Sequence, residues 1–387
     1  MIYDLLKGFY GWKVLESKGD YGDMKYKYWF NEIEGLGNVA RNKLIEKYGS
    51  AEGVYNEFNS KEDWVGILNV KQVENIEEAR KYNLDLKYRE FASYGESMVT
   101  VEDPEYPRDL FEVYDHPHGL YFLGELPEAQ DEMVAMVGAR CCSAYGKTMA
   151  SEIGYNLGAN GFVVVSGMAK GIDSASHEGC LQAGGRTVAV LGCGVDICYP
   201  AMNRKLYQKI IENGCVISEY PHGRQPLAGQ FPSRNRIISG MSKSLVVVEA
   251  RKKSGSLITV DFALEQGKDI YVVPGRITDK MSEGCNRLIN QGAQIITSSD
   301  DFIQSLRECD LRNLNLNHNN ENTHKDLTPE EHKIYDLIDY YPTSLNVIID
   351  NSGMDYFEVL SIIIGLVEKG FIYEKFKNQY VISKNTY

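Results

Sequence analysis

No apolar run in this 387-residue chain approaches the roughly 20 residues that a membrane-spanning helix needs. The opening segment, MIYDLLKGFYGWKVLES, lacks the cationic stretch followed by an apolar one that marks a secretory signal. A cytoplasmic protein is therefore expected. Cysteine is present eight times, with Cys141 and Cys142 adjacent and Cys193 and Cys198 separated by four residues, but no C-x-x-C pair or Cys/His cluster has zinc spacing. Reduced, mostly buried thiols are the expectation, and no metal ion. Positive charge is scarce: 41 Lys and Arg face 54 Asp and Glu, a formal net charge of −13. This argues against duplex binding through the whole surface. A local basic strip survives, because salt screens charges beyond about 8–10 Å.

The 43% hydrophobic and 25% charged residues suit a globular protein of two or three domains. The first 26 residues carry no clear pattern. Residues 27–94 read as helices, with Ile33–Glu34–Gly35–Leu36–Gly37–Asn38 as a turn between two of them. A G-x-G turn followed by Arg41–Asn42–Lys43–Leu44 looks like half of a helix-hairpin-helix, whose turn amides face a phosphate; a purely structural hairpin fits the same residues.

From 95 to 308 the pattern becomes strand, loop, helix. Apolar β-branched runs recur at Met133–Val137, Phe162–Val165, Thr187–Leu191, Val216–Ile217, Leu245–Val248 and Ile270–Val273. Helix-length segments separate them, among them Lys147–Asn160, Ile172–Ala183, Arg204–Glu212 and Leu257–Gln266. Strands apolar on both faces and alternating with helices predict a Rossmann-like parallel α/β sheet covered by helices. Right-handed crossovers then gather the loops after the strands along one edge, where such sheets bind ligands. Residues 309–326, with LNLNHNNENTH, read as a linker. Residues 327–387 read as three helices and a hairpin, the outline of a winged helix.

The predicted edge carries VGAR (137–140), SGMAKG (166–171), GCG (192–194), EYP (219–221), FPSRNR (231–236), EARKKSGS (249–256) and PGR (274–276). Small residues and amides at helix starts suit anions. Arg140, Lys170, Arg234 and Arg236 are interleaved with Tyr145, Tyr199, Tyr220 and Phe231. Cations neutralise phosphates, and each ring that accepts an unstacked base is worth roughly 1–3 kcal/mol. A duplex keeps its bases inside, so the combination favours single strands. Asp196, Glu219 and Glu249 at the same edge oppose a simply cationic groove. Were all four cations to meet a phosphate, log affinity would fall with log salt at a slope of roughly −3.

Nucleotide and catalytic motifs fail. Gly146–Lys147–Thr148 ends like a Walker A loop, but the required first glycine is replaced by Cys141. Gly192–Cys193–Gly194 starts like a dinucleotide turn, but Pro200 interrupts before a helix begins. Ser166 and Ser239 lack a nucleophile elbow. His177 sits inside a helix, where packing explains it better than base catalysis. No cofactor and no catalytic residue are expected.

In VGAR, VSGMAKGIDSASH (165–177), GGRTVAVLGCGVDICYP (184–200), ISEYP (217–221), FPSRNRIISG (231–240), VVVEARKKSGSLIT (246–259), QGKDIYVVPG (266–275) and GCNRLINQGA (284–293), the chain resembles the DNA-processing protein A (DprA/Smf) family. The resemblance implies an extended Rossmann fold flanked by a small helical (helix-hairpin-helix/SAM-like) domain and a winged helix. It implies head-to-head homodimers, single-stranded DNA binding without catalysis, and delivery of that strand to the recombinase RecA during natural transformation. By motif, the DNA-contacting residues are Arg140, Lys170, Arg234 and Arg236, with Ser166, Gly167, Asn235, Ser254 and Gly255 shaping the pocket. The first 26 residues exceed the family's usual length, and Ala139 stands where Ser is frequent. A rival of similar fold, a LOG-type phosphoribohydrolase, would carry G-G-G and P-G-G-x-G-T stretches, and neither occurs. From Lys325 to Tyr387 there are ten Asp+Glu and six Lys+Arg, a net of about −4, whereas phosphate-contacting modules are normally basic. The C-terminal region is therefore expected to contact protein rather than DNA.

Overall fold

Runs rich in Val, Ile and Met fold into the central strands of a nine-stranded sheet: β1 (Ser97–Thr100), β2 (Gly119–Gly124), β3 (Met133–Val137), β4 (Val163–Ser166), β5 (Thr187–Val190), β6 (Gly214–Ser218), β7 (Ser244–Val247), β8 (Asp269–Val272) and β9 (Gln294–Ile295). Their order is β1-β2-β6-β5-β4-β3-β7-β8-β9. β3 through β9 run parallel, and β1 and β2 are antiparallel additions beside β6. The computed structural model describes residues 21–59, 66–307, 327–338, 343–369, 371–376 and 379–382. The expected extension up to residue 20 and the linker at 309–326 lie outside the described residues.

Period-two alternation explains why these strands lie inside. Val188 and Val190 face a core with Ile237, Ile238, Met241 and Val260. Their neighbours Ala189 and Leu191 face the opposite core, with Met168, Leu206 and Ile210. Both faces are covered, so the continuous apolar runs follow from the packing. Each such buried Val, Leu or Ile side chain contributes roughly 1.5–3 kcal/mol.

Two helices meet almost backbone to backbone. Ala144–Ala159 follows β3 and Ile172–Gln182 follows β4. A methyl group placed on Gly154 would lie 2.4 Å from the Ser176 carbonyl oxygen, and one on Gly179 would lie 2.0 Å from that of Ser151. Only glycine permits this approach at either position.

Five helices precede the sheet: Tyr21–Asn31, Asn38–Tyr48, Ala51–Glu57, Val70–Ala79 and Leu84–Ser93. The first begins at Tyr21, ahead of the expected start at residue 27. They enclose their own core of Trp29, Phe30, Leu44, Val54 and Ile76. Local chemistry marks their starts: Ser50 and Asn83 accept amide hydrogens of the first turn, and Asn69 with Gln72 forms a capping box. Buried Lys27 anchors the bundle through Asp103 at 2.7 Å, and the Tyr121 hydroxyl on β2 binds Glu32 and accepts from Asn31.

By compactness the chain divides into units Met1–Ile303 and Gln304–Tyr387. The second holds helices Pro329–Tyr335, Leu345–Ser352 and Tyr356–Glu368 with a three-stranded antiparallel sheet, β10 (Thr343–Ser344), β11 (Ile372–Phe376) and β12 (Gln379–Ile382), ordered β10-β12-β11. Ile334, Ile348, Val359, Ile363 and Ile372 form its core. Among the described residues no helix is long and apolar enough to cross a membrane.

Candidate nucleic-acid interface

Loops after β3, β4, β5, β6, β7 and β8 leave one edge of the sheet, because these strands run in one direction. The chain walks from β3 out to β6, then returns to add β7 on the other side of β3. That reversal places the β3 and β7 loops at the topological switch point, where open α/β sheets form a crevice.

Arg140 and Lys170 are exposed on adjacent loops. Gly171 packs so closely that an added methyl would lie 2.3 Å from the Ala139 carbonyl oxygen and 2.6 Å from that of Arg140. Gly171 also has φ +88°, a conformation open to glycine. The Arg140 guanidinium stands 5.6 Å from the Phe231 ring centre, and the Tyr199 ring lies 5.6 Å from the same ring at 32°. Gly192 lies beneath, where a methyl would come within 3.0 Å of the Phe231 ring. Tyr199 is 44% exposed. An exposed cation, the open Tyr199 ring and the half-buried Phe231 ring thus form one platform.

Behind the platform the groups are buried. Arg234 is 5% exposed, and its guanidinium donates to the Val190 carbonyl at the end of β5 and, at 3.2 Å, to Asn235 Oδ1. Gly167 separates it from Asp173: a methyl there would lie 2.5 Å from the Asp173 carboxylate and 2.7 Å from the guanidinium. Burial pushes the Asp173 carboxyl up to about 6 against the pull of Arg234. Ser166 is buried and donates to the Met136 carbonyl at 2.6 Å, tying β4 to β3. His177 bridges the Gly167 carbonyl at 2.8 Å and the Thr187 hydroxyl at 2.6 Å. Burial lowers its imidazole to about 4, which keeps it neutral.

Arg236 is 4% exposed and turned away from the platform. It pairs with Glu219 at 2.8 Å and Asp115 at 2.9 Å, and donates to the Asp115 carbonyl at 3.1 Å. The segment read as a loop, residues 231–236, belongs to the helix Gln230–Gly240, with Pro232 in its first turn, where proline is tolerated. Helical spacing puts Arg234 on the face of Ile237, Ile238 and Met241, so both arginines point inward rather than to solvent. A row of four equivalent, open cations is therefore not what the fold makes. Asn235 is half-buried beside Arg234.

Across the crevice, Ser254 is half-buried and caps the helix Gly255–Glu265, while Gly255 is exposed at its start. Arg251, Lys252 and Lys253 are exposed just before them. Glu249, 1% exposed, accepts from Ser143 N–H at 2.8 Å and Ser143 Oγ–H at 2.5 Å. Its carboxylate lies against Gly146, where a methyl would meet it at 2.3 Å. The start of the helix Ala144–Ala159 is thus already met by a carboxylate, the charge a bound phosphate would bring.

A family model described as DNA recombination-mediator protein A matches residues 97–307. The chain belongs to the DNA recombination-mediator protein A family. It is 42% identical to DNA processing protein DprA of Streptococcus pneumoniae over 221 residues, 57% of this chain and 76% of that protein. It is 36% identical to protein Smf of Synechocystis over 286 residues, 72% of each. The X-ray structure of the Streptococcus pneumoniae protein superposes with a TM-score of 0.65 at 37% identity, covering 72% of this chain and 97% of the other. DNA processing protein A from Helicobacter pylori, whose single-stranded DNA binding mode has been described structurally, gives a TM-score of 0.50 at 32% identity, covering 55% of this chain and 96% of the other.

All nine residues expected at the DNA site of this family member lie within the matched span, and all but Ser166, the last residue of β4, sit on the edge loops or the helices they start. Arg140, Lys170, Gly167, Arg234 and Asn235 come together; Ser166 lies under them, Ser254 and Gly255 across the crevice, and Arg236 apart. Asp173 and Glu249 are the buried carboxylates that organise the two loops; the sequence placed Glu249 at this edge but offered it no partner. Outside the matched span, the Gly35–Leu36–Gly37 turn is present, with Gly35 at φ +73°. Arg41 after it turns inward to the Phe30, Asn31 and Ile33 carbonyls, and Asn42 to His116.

Proposed function

We propose that this chain binds single-stranded DNA along the outlet edge of its parallel sheet, without catalysis, and passes the strand to a RecA recombinase during DNA uptake. The observation that carries the reading is the platform of Arg140, Phe231 and Tyr199 beside Lys170, where exposed phosphate-neutralising cations stand next to an open ring, Tyr199, and a half-buried one, Phe231. Arg140 and Lys170 meet the backbone, Phe231 and Tyr199 take bases, and Gly167 with Asn235 shapes the floor. Ser254 and Gly255 form the far wall, with Arg251, Lys252 and Lys253 extending the positive track. Arg234 and Arg236 act from inside, as struts for the β5 end and for Glu219.

The protein works in the cytoplasm as a homodimer, with the five N-terminal helices as a helix-hairpin-helix/SAM-like domain. The C-terminal unit, three helices with a small antiparallel sheet, is a winged helix whose acidic surface contacts protein. A gel-shift series of single-stranded against duplex DNA, repeated with RecA in the same lanes, tests the reading. Preference for the single strand and faster RecA assembly on it are expected; equal affinity for duplex would overturn it. Turnover of nucleoside monophosphates, abolished in Glu249→Gln, would instead favour a LOG-type hydrolase.

A further inference from the structure

Away from the platform, three side chains converge from distant parts of the chain. Glu96 stands just before β1, Asp196 follows β5, and His222 follows β6. One ligating atom from each lies within 4.8 Å of the other two. His222 Nδ1 is 2.5 Å from Glu96 Oε1 and 3.8 Å from Asp196 Oδ1.

Two observations point to a missing partner. The Glu96 side chain is 1% exposed, yet its second oxygen, Oε2, has no hydrogen-bond donor. A carboxylate oxygen withdrawn from water in this way is strongly disfavoured unless a cation or donor reaches it. Negative charge is also in excess, since two carboxylates, Glu96 and Asp196, meet a single imidazole there. The ligand groups are held in place: Asp196 Oδ1 accepts the Gly223 amide hydrogen at 2.9 Å, and the Tyr94 ring stacks on the His222 imidazole at 3.7 Å and 9°. Asp196 and His222 are 26% and 36% exposed, which leaves a path from solvent.

We infer that Glu96, Asp196 and His222 form a binding site for one divalent transition-metal cation of the Mn²⁺ or Zn²⁺ class. One imidazole and two carboxylates suit such a borderline ion, with the remaining positions filled by water. Metal–ligand distances of about 2.1 Å put neighbouring ligand atoms roughly 3.3 Å apart in a tetrahedral site. The observed separations of 2.5 and 3.8 Å bracket that value, so shifts under 1 Å close the site. The ion clips the entry of β1 to two outlet loops. This goes beyond DNA binding and does not depend on it.

The test is Mn²⁺ titration of the EDTA-stripped full chain, read by loss of the free-ion EPR signal. Mn²⁺ is chosen because it has little affinity for thiols such as exposed Cys141. One bound Mn²⁺ per chain, displaced by Zn²⁺, is expected, with affinity at least about tenfold weaker in Asp196→Asn and in His222→Gln. A rise in melting temperature on adding Mn²⁺ should appear in the parent and vanish in both variants. If neither ion binds saturably, or the variants bind like the parent, the three residues are only a hydrogen-bonded cluster and the inference fails. A variant that loses its far-UV circular dichroism is replaced by the other, whose outcome then decides.

Discussion

Arg140→Ala and Arg236→Ala, two similar substitutions in one loop system, should fail in opposite ways. Arg236 is held by Glu219, itself 11% exposed, and by Asp115, which is 48% exposed. Removing one partner of a buried pair costs about 3–5 kcal/mol, and the open side of Asp115 argues for the lower end. About 3 kcal/mol corresponds to a melting-temperature loss of roughly 5 °C in a unit of this size. Arg140 is exposed and stands over the Phe231 ring, so its loss should change stability by no more than about 0.5 kcal/mol. Binding should invert the ranking. Each phosphate contact on a single strand contributes about 0.7 to the slope of log affinity against log salt. Arg140→Ala should lower the slope by that amount, while Arg236→Ala, assayed well below its melting temperature, should leave it unchanged. The four named cations together would give a slope near −2.8, and a roughly fiftyfold loss of affinity from 50 to 200 mM salt. The two exposed ones alone give about −1.4 and a roughly sevenfold loss, to which the lysines before Ser254 add. A variant Arg236→Ala that keeps its melting temperature and loses about 0.7 of slope would refute the division into open and internal arginines.

Further outcomes follow from the same geometry. His118 and His177 are buried and neutral, lowered by burial to about 3 and about 4. The unfolded chain binds their protons first, so stability should fall as pH drops below about 6.5; acid titration of His118→Phe should give a flatter curve than the parent. Asp173 works in the other sense: held up at about 6, it disfavours the folded state as pH rises from 4 to 6. Asp173→Asn should therefore gain relative stability over that window, measured by urea denaturation at both ends. Glu249→Ala frees the Ser143 amide and hydroxyl and should lower both stability and strand affinity, because the Arg140 loop loses its anchor. Deleting residues from Asp326 onward should leave strand affinity nearly unchanged; a tenfold loss by gel shift would assign DNA contact to that acidic unit.

The parallel sheet was legible because its strands are apolar on both faces: the runs at Met133, Thr187 and Ile270 needed no alternation to be found. The antiparallel pair β1 and β2 was not, since Ser97–Thr100 and Gly119–Gly124 sit at the sheet margin, where burial is partial. Arg140 and Lys170 were found because glycines flank them in strand-to-helix loops. The inward turn of Arg234 was readable in principle from its spacing to Ile237 and Met241, but Pro232 and the run of polar residues suggested a loop. The partners of Arg236 come from Asp115 and Glu219, too far away in sequence for any local pattern to reveal. The same holds for the carboxylate of Glu249 on Ser143, a contact across 106 positions.

The glycine-lined contact between the helices Ala144–Ala159 and Ile172–Gln182 bears on how a strand is measured out. Arg140 and Lys170 precede the starts of these two helices, so main-chain atoms, which cannot change rotamer, fix how far apart the loops holding them lie. A polynucleotide laid over them meets a calliper of constant opening and must adjust its own backbone torsions to fit. Bulk introduced at Gly154 or Gly179 would alter that opening from about two to three helical turns away, without touching any group that meets DNA.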